Sequence, residues 1–371
     1  MNQNFSLYWD GYGLDAPNSG IFVHAREISR ELGKLGCRPR LIGSRAALKA
    51  LPNLEGISPV SGPISRLLPQ NKLSWCEDVR RAIQADRGAD PLPLIVHGLS
   101  NFNIPKSPMA SWRRVLTVHD LIPLLAPREV SKSLYLQLKY LLPLALKAAD
   151  QIICVSKWTQ YTLIDFMPSI AEKIEVIANG VGLATPLPKS PYVENSIINL
   201  LFVSRFETYK GHATLVELLK KSKLALRLEL ITDRKGVEYW TSQAGDLIQS
   251  GKVRVSSGVY GEELKRCYKN ADIYVSPSRF EGYCLPAIEA LSVGTPVVYV
   301  GGSGIDEVAG TEVSFKVERP DIVEDWEDAL VHCRKVSGEI DFPGRVTEYL
   351  HKLVTWKDAA AEHLKLYNRL V

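Results

Sequence analysis

Short apolar runs alternate along this chain with longer stretches whose apolar positions recur every three or four residues. In the first half, residues 5–9, 93–97, 115–119 and 151–156 read as strands, and residues 24–35 and 134–149 as helices. Such alternation predicts a parallel sheet wrapped by helices. A proline-rich polar passage follows, from Leu183 to Asn195 with Pro186, Pro188 and Pro191, and reads as a linker. The rhythm then restarts. Strands are predicted at 199–204, 227–232, 253–256, 273–276 and 296–300, with helices at 212–221, 239–249, 262–270, near Pro286 and near Asp306. The tail, 346–370, reads as helices of mixed face. The pattern predicts two tandem doubly wound, Rossmann-like α/β domains, 1–190 and 196–355. In such sheets ligands bind beyond the carboxyl ends of strands, so the loops after strands are the places to look for chemistry.

A length of 371 residues suits two domains of ordinary size. With 46% apolar and 23% charged residues the composition is that of a globular protein, which excludes disordered and fibrous classes. No stretch approaches the ~18 apolar residues of a membrane span, and the start of the chain lacks a basic-then-apolar leader, so a cytoplasmic protein is expected. Six scattered cysteines, with no Cys-x-x-Cys pair, read as buried thiols rather than disulfides or zinc ligands. Residues 1–190 hold 22 Lys+Arg against 15 Asp+Glu, a balance of +7; the remaining 23 against 26 leave −3. The first half is therefore the one suited to anionic partners. Its basic residues are dispersed and carry no nucleic-acid-reading motif, which disfavours nucleic acid as a partner.

The second half carries the denser chemistry. After the strand 199–204 the loop Ser204-Arg205-Phe206-Glu207-Thr208-Tyr209-Lys210-Gly211 sets two cations five positions apart. Arginine offers a planar fork and lysine a point charge, and a diphosphate uses both; on local grounds alone a solvated basic loop is an equal reading. After the strand 273–276 come Phe280, Glu281, Gly282, Tyr283, Cys284, Leu285 and Pro286. Pro286 suits a first helical turn, which leaves the amides of Tyr283, Cys284 and Leu285 at a helix mouth, where the dipole favours anions. Glu281 precedes this helix and Glu289 lies one turn inside it. One carboxylate can accept hydrogen bonds from a sugar and the other from a ribose diol, or both can be structural acids. The Gly301–Glu307 turn, with Ser303 and Asp306 as an N-cap arrangement, is either a third phosphate cradle or a tight strand-to-helix turn.

These segments, together with Gly294-Thr295-Pro296, Asn18-Ser19-Gly20-Ile21, Val118-His119-Asp120, Cys154-Val155-Ser156-Lys157 and Ala178-Asn179-Gly180-Val181, resemble the family 4 retaining glycosyltransferases, and most nearly bacterial polysaccharide mannosyltransferases. The resemblance implies a GT-B fold, two domains facing across a cleft, with a last helix, 356–371, crossing back onto the N-terminal acceptor-side domain. It implies that Arg205 and Lys210 hold the diphosphate, Glu281 the transferred sugar and Glu289 the ribose. By the same resemblance His119 stands near the donor sugar, Gly20 lets its loop approach the phosphate, Ser204 belongs to the donor loop, and Val259 contacts the base. Two departures are visible: Tyr283-Cys284 replaces the common Phe-Gly, and Ser19-Gly20 a glycine pair.

Breaking an anomeric C–O bond leaves negative charge on the departing diphosphate, and stabilising that charge is the main catalytic task. Cations and helix amides suffice for it, and no Asp-x-Asp triplet occurs. No metal and no cofactor are therefore expected. The resemblance implies retention by front-face attack, without a protein nucleophile. It points to GDP-mannose as donor and a saccharide or lipid-linked saccharide as acceptor. Rival readings are a UDP-sugar-dependent transferase, a non-catalytic nucleotide-sugar-binding subunit and a sugar-nucleotide epimerase. The leucine-rich, lysine-bearing segment 131–150 suits either core packing or peripheral contact with the inner membrane face.

Overall fold

The computed structural model describes residues 4–15, 19–59, 72–105, 112–182 and 185–371; Asn18 and Leu183, named above, lie outside them. The chain divides into two compact units. Met1–Pro127, Ser131–Gly180 and Val354–Val371 form the first, Arg128–Val130 and Val181–Leu353 the second.

In the first unit β1 (Ser6–Asp10), β2 (Arg40–Ile42), β3 (Gly56–Ile57), β4 (Leu94–Gly98), β5 (Trp112–Val118), β6 (Gln151–Cys154) and β7 (Ile174–Val176) form a parallel sheet. Their order is β3-β2-β1-β4-β5-β6-β7. Strands β4 and β6 are buried almost throughout, which is why they read as continuous apolar runs. The helix Gly20–Lys34 starts where the Ser19 hydroxyl accepts from the Phe22 amide at 3.1 Å. The helix Trp356–Leu370, opened by a Thr355–Asp358 capping box, packs along Gly20–Lys34 and belongs to this unit. Its approach is close: a Cβ on Gly180 would lie 2.2 Å from the Trp356 nitrogen, so only glycine fits there.

The second unit holds β8 (Ile198–Val203), β9 (Leu226–Ile231), β10 (Val253–Ser256), β11 (Ile273–Ser276), β12 (Val297–Val300) and β13 (Ser314–Val317), parallel and ordered β10-β9-β8-β11-β12-β13. Both sheets thus have the doubly wound order the alternation predicted. Each reverses direction beside its first strand, at β1/β4 and β8/β11, where a crevice opens at the strands' carboxyl ends. Leu228, Leu230, Trp240, Trp326 and Leu330 fill one side of the second sheet.

Local differences have local causes. The helix expected at 239–249 is two, Arg234–Gln243 and Gly245–Gln249; it begins early because the Asp233 carboxylate caps it, accepting from the Gly236 amide at 3.0 Å. The tail also splits, into Phe342–Lys352 in the second unit and Trp356–Leu370 in the first. The proline-rich passage is laid onto the second unit rather than hanging free. The Lys189 ammonium donates to the carbonyls of Lys269 and Ala271 at 2.8 and 2.7 Å, and the Leu187 amide to Val293 at 3.3 Å.

The leucine-rich segment forms the helix Lys132–Ala148, and only one of its faces is packed into the core. Leu138, Leu142, Ala145 and Leu146 are buried in the core, while Leu136, Tyr140 and Leu144 stay exposed along another face. Among the described residues no helix is long and apolar enough to cross a membrane.

Candidate active site

Strand β8 delivers its loop into the β8/β11 crevice, and neighbouring elements fix that loop. The Phe206 amide donates to Asp233 Oδ1 at 3.1 Å. Trp240 Nε1 donates to His212 Nδ1 at 3.0 Å, so the His212 proton sits on Nε2, which donates to the Arg205 carbonyl at 3.2 Å. Burial lowers the His212 pKa to about 4, keeping the ring neutral. Gly211, at φ 75°, turns the chain into the next helix, and a Cβ there would lie 2.4 Å from the Pro277 carbonyl oxygen. The loop is thereby pressed against the one leaving β11, to which the Arg279 amide also ties it by donating to the Tyr209 carbonyl at 2.9 Å. The Ser204 hydroxyl is used locally, on the Arg205 carbonyl at 2.9 Å. The Arg205 side chain is exposed, and no carboxylate among the described residues pairs with it.

At the junction of the two loops the Lys210 ammonium meets the Glu281 carboxylate at 2.7 and 2.8 Å, with only 18% and 12% of these side chains exposed. Burial acts to lower the lysine pKa, but the carboxylate outweighs it and holds the ammonium above its ordinary range. Glu281 is also held by its backbone: its amide donates to Ser303 Oγ at 3.1 Å and its carbonyl accepts from Gly304 at 2.8 Å. This changes the reading of the glycine-rich turn. Ser303 anchors the Glu281 loop instead of capping a helix, Asp306 accepts from the Gly302 amide at 2.6 Å, and Gly304–Glu307 is one 3-10 turn.

Beyond Glu281, Tyr283, Cys284 and Leu285 are buried at the mouth of the helix Leu285–Ser292, with Pro286 in its first turn. Cys284 takes the left-handed conformation, φ 71° and ψ 66°, that glycine adopts without strain. Burial, with the Glu281 charge adding to it, pushes the Cys284 thiol up to about 12, so it stays protonated. Glu289 accepts from the Tyr268 hydroxyl at 2.8 Å. Val259 is half-buried in the turn between β10 and the helix Gly261–Asn270, flanked by Gly258 at φ 73°.

In the first unit His119 directly follows β5. Its amide donates to Asn101 Oδ1 at 2.8 Å and its Nε2 to the Leu99 carbonyl at 2.9 Å, leaving Nδ1 as the acceptor. His24 meets it edge-on at 5.3 Å. His24 Nδ1 donates to Asn179 Oδ1 at 2.7 Å, and His363 Nδ1 to the Ala359 carbonyl at 2.8 Å. Tyr367 accepts from Trp9 and donates to His97 Nδ1 at 2.7 Å, which leaves His97 Nε2 to donate to Thr117 at 2.7 Å. Burial, first, lowers the pKa of His24 to about 4 and those of His119 and His363 to about 3. The whole cluster is neutral. Gly20 is the first residue of its helix, immediately after the capping Ser19.

The structure therefore joins Lys210 and Glu281 directly, puts Arg205 and the helix mouth on loops of the same unit, and sets His119 and Gly20 in the other. His24, His97, His363 and Asn101 were not singled out from the sequence, and Asn179 was named only as part of a motif, with no role. Their numbers are too far apart for spacing to reveal them as neighbours. Tyr268 and His212 were missed as well, each being a support that acts through its neighbour, while Ser303, expected as an N-cap, anchors the Glu281 loop instead.

Residues 18–185 match the family profile described as Glycosyltransferase Family 4, and residues 193–355 the one described as Glycosyl transferases group 1. The O-antigen chain mannosyltransferase RfbU of Salmonella typhimurium is 25% identical over 64% of this chain and 65% of its own length. The MMP alpha-(1->4)-mannosyltransferase of Mycolicibacterium hassiacum is 30% identical over 40% of this chain and 36% of its own length. The matched segment thus spans less than two-thirds of either relative. Among solved structures, Anabaena HepE in complex with UDP and glucose superposes with a TM-score of 0.74 at 15% identity, over 98% of this chain and all of that one, which shows likeness of fold. With two parallel-sheet Rossmann-like units of GT-B type and both profiles matched in order, the chain belongs to the family 4 glycosyltransferases.

Proposed function

We propose that the chain is a retaining hexosyltransferase that moves mannose from GDP-mannose to a saccharide or lipid-linked saccharide acceptor of surface polysaccharide or glycolipid synthesis. The observation that carries the nucleotide-diphosphate-sugar reading is the Lys210–Glu281 pair at the β8/β11 crevice. An ammonium held charged by its carboxylate partner shares its loop with an exposed Arg205 and lies near Cys284 at a helix N-terminus, and cations with a helix N-terminus are the groups that stabilise a leaving diphosphate. Glu281 accepts from hydroxyls of the transferred sugar, Glu289 from the ribose, and Tyr283, Cys284 and Leu285 present backbone to the phosphates. Ser204 and Val259 complete the donor side, Val259 at the base. We assign His119 to the donor sugar and Gly20 to the phosphate, as the family resemblance implies. The buried thiol of Cys284 is no nucleophile, in keeping with front-face attack in which a leaving phosphate oxygen takes the acceptor proton. Protein cations do the work a metal would do, so no metal is needed.

The two mannosyltransferases named above support mannose. The neighbour holding UDP and glucose favours the second reading, a UDP-sugar donor. Melting temperature in the presence of GDP, UDP and ADP separates them, because a ligand selective for the native state raises stability. A shift with GDP is expected, and a shift with UDP alone overturns the GDP-mannose reading. In acceptor-free hydrolysis of a nucleotide-sugar panel, Glu281→Ala and Lys210→Ala are expected to lose most donor turnover; wild-type rates in both would remove the site.

The exposed Leu136, Tyr140 and Leu144 stripe, on a helix with Lys132, Lys139 and Lys147 and no acidic residue, supports peripheral contact with an anionic inner membrane face.

A further inference from the structure

Resting on the reading of Glu289 as the ribose acceptor, we propose that Tyr268 is its positioning residue, and that the tyrosine hydroxyl proton sets how strongly the site prefers ribose over a deoxygenated sugar. The hydroxyl donates to Glu289 Oε2 at 2.8 Å from a ring only 2% exposed. Burial, and after it the Glu289 charge, keeps that hydroxyl protonated, so it always donates and the carboxylate always accepts.

The tyrosine is itself held at two places. Its carbonyl accepts from the hydroxyl of the fully buried Thr295 at 2.6 Å, and its ring lies 6.0 Å, centroid to centroid, from that of the buried Tyr274. A glutamate side chain loses less rotamer freedom on binding when hydrogen bonds in the free protein already restrict it, and the Tyr268 bond is one such restraint. An ionised carboxylate only accepts, so the Tyr268 hydroxyl and a ribose hydroxyl can both donate to it.

Position adds to the argument. Tyr268 lies on the helix Gly261–Asn270, which begins directly after the Val259 turn. One rigid element thus carries both the turn assigned to the base and the group that aims the ribose acceptor.

The test compares wild type, Tyr268→Phe, Glu289→Ala and the double variant by calorimetric titration with GDP, UDP and their 2′,3′-dideoxy forms. Wild type should bind the ribose form of its preferred nucleotide more tightly. Tyr268→Phe should weaken that form about 5- to 20-fold, leave the dideoxy form within about twofold, and add nothing once Glu289 is alanine. An unchanged ribose-to-dideoxy ratio, or equal weakening of both forms, overturns the proposal while leaving the donor site standing. Failure of wild type to bind any of these nucleotides would instead remove the functional reading beneath it. Should Tyr268→Phe not fold, Thr295→Val, which releases the anchor of the same tyrosine, is read by the same ratio.

Discussion

Cys284 holds a conformation that costs an ordinary side chain about 1–2 kcal/mol, at the first residue of the helix mouth. Its small buried thiol offsets part of that cost by burial. Cys284→Gly should therefore stay within about 1 kcal/mol of wild type in urea unfolding, whereas Cys284→Val, β-branched at positive φ, should lose at least about 2 kcal/mol. Equal stabilities would show that the turn relaxes. Lys210 and Glu281 are coupled in another way: each alone is an uncompensated charge in a poorly hydrated place. Lys210→Ala and Glu281→Ala should each cost about 1–3 kcal/mol, and the double variant clearly less than their sum. Strict additivity in the unfolding free energies would mean that the pair contributes nothing in solution. The sequence made both residues visible, since each stands just past a strand; what it could not show is their contact, because 71 positions separate them and only the adjacency of β8 and β11 closes that distance.

Among elements, the long periodic ones were legible. His212–Lys221 has the bounds the pattern predicts, as do Val253–Ser256 and Ile273–Ser276. Two- and three-residue strands such as Gly56–Ile57 and Arg40–Ile42 are too brief to show a period; Arg40–Ile42 pairs with β1, and Gly56–Ile57 pairs in turn with Arg40–Ile42. The helix expected near Asp306 is the short 3-10 turn Gly304–Glu307, and the serine before it does not cap it because a loop 22 positions upstream uses its hydroxyl. Lys132–Ala148 was ambiguous for a physical reason, being apolar on two faces at once. That division makes a prediction: replacing Leu136, Tyr140 and Leu144 with glutamine should leave the unfolding midpoint nearly unchanged while abolishing cosedimentation with anionic vesicles. Undiminished sedimentation would assign the stripe another task.

For the molecule as a whole, the buried histidines set the response to acid. His24, His97, His119 and His363 in the first unit and His212 in the second all titrate below their ordinary value because burial penalises their charge. An unfolded chain binds these protons near pH 6.5, the folded one only near pH 4 or below. Their contribution is therefore complete above pH 6.5 and declines as pH falls toward about 4, by up to about 1.4 kcal/mol per histidine per pH unit. Urea midpoints measured from pH 7 to 4.5 should fall steeply, with the first unit, which holds four of the five, opening first. A flat profile would place these rings in water.

The return of Trp356–Leu370 to the first unit also bears on synthesis. Residues up to Gly180 leave the ribosome before the second unit, yet the helix that covers Trp9 and His97 is made only after that unit has been translated in between. During elongation that sheet waits with a polar, imidazole-lined face uncovered, and the inner unit has time to fold ahead of it. A fragment of residues 1–180 should accordingly resist thermal unfolding only when a peptide of residues 354–371 is supplied in trans. The first unit would then be begun before the second and completed after it.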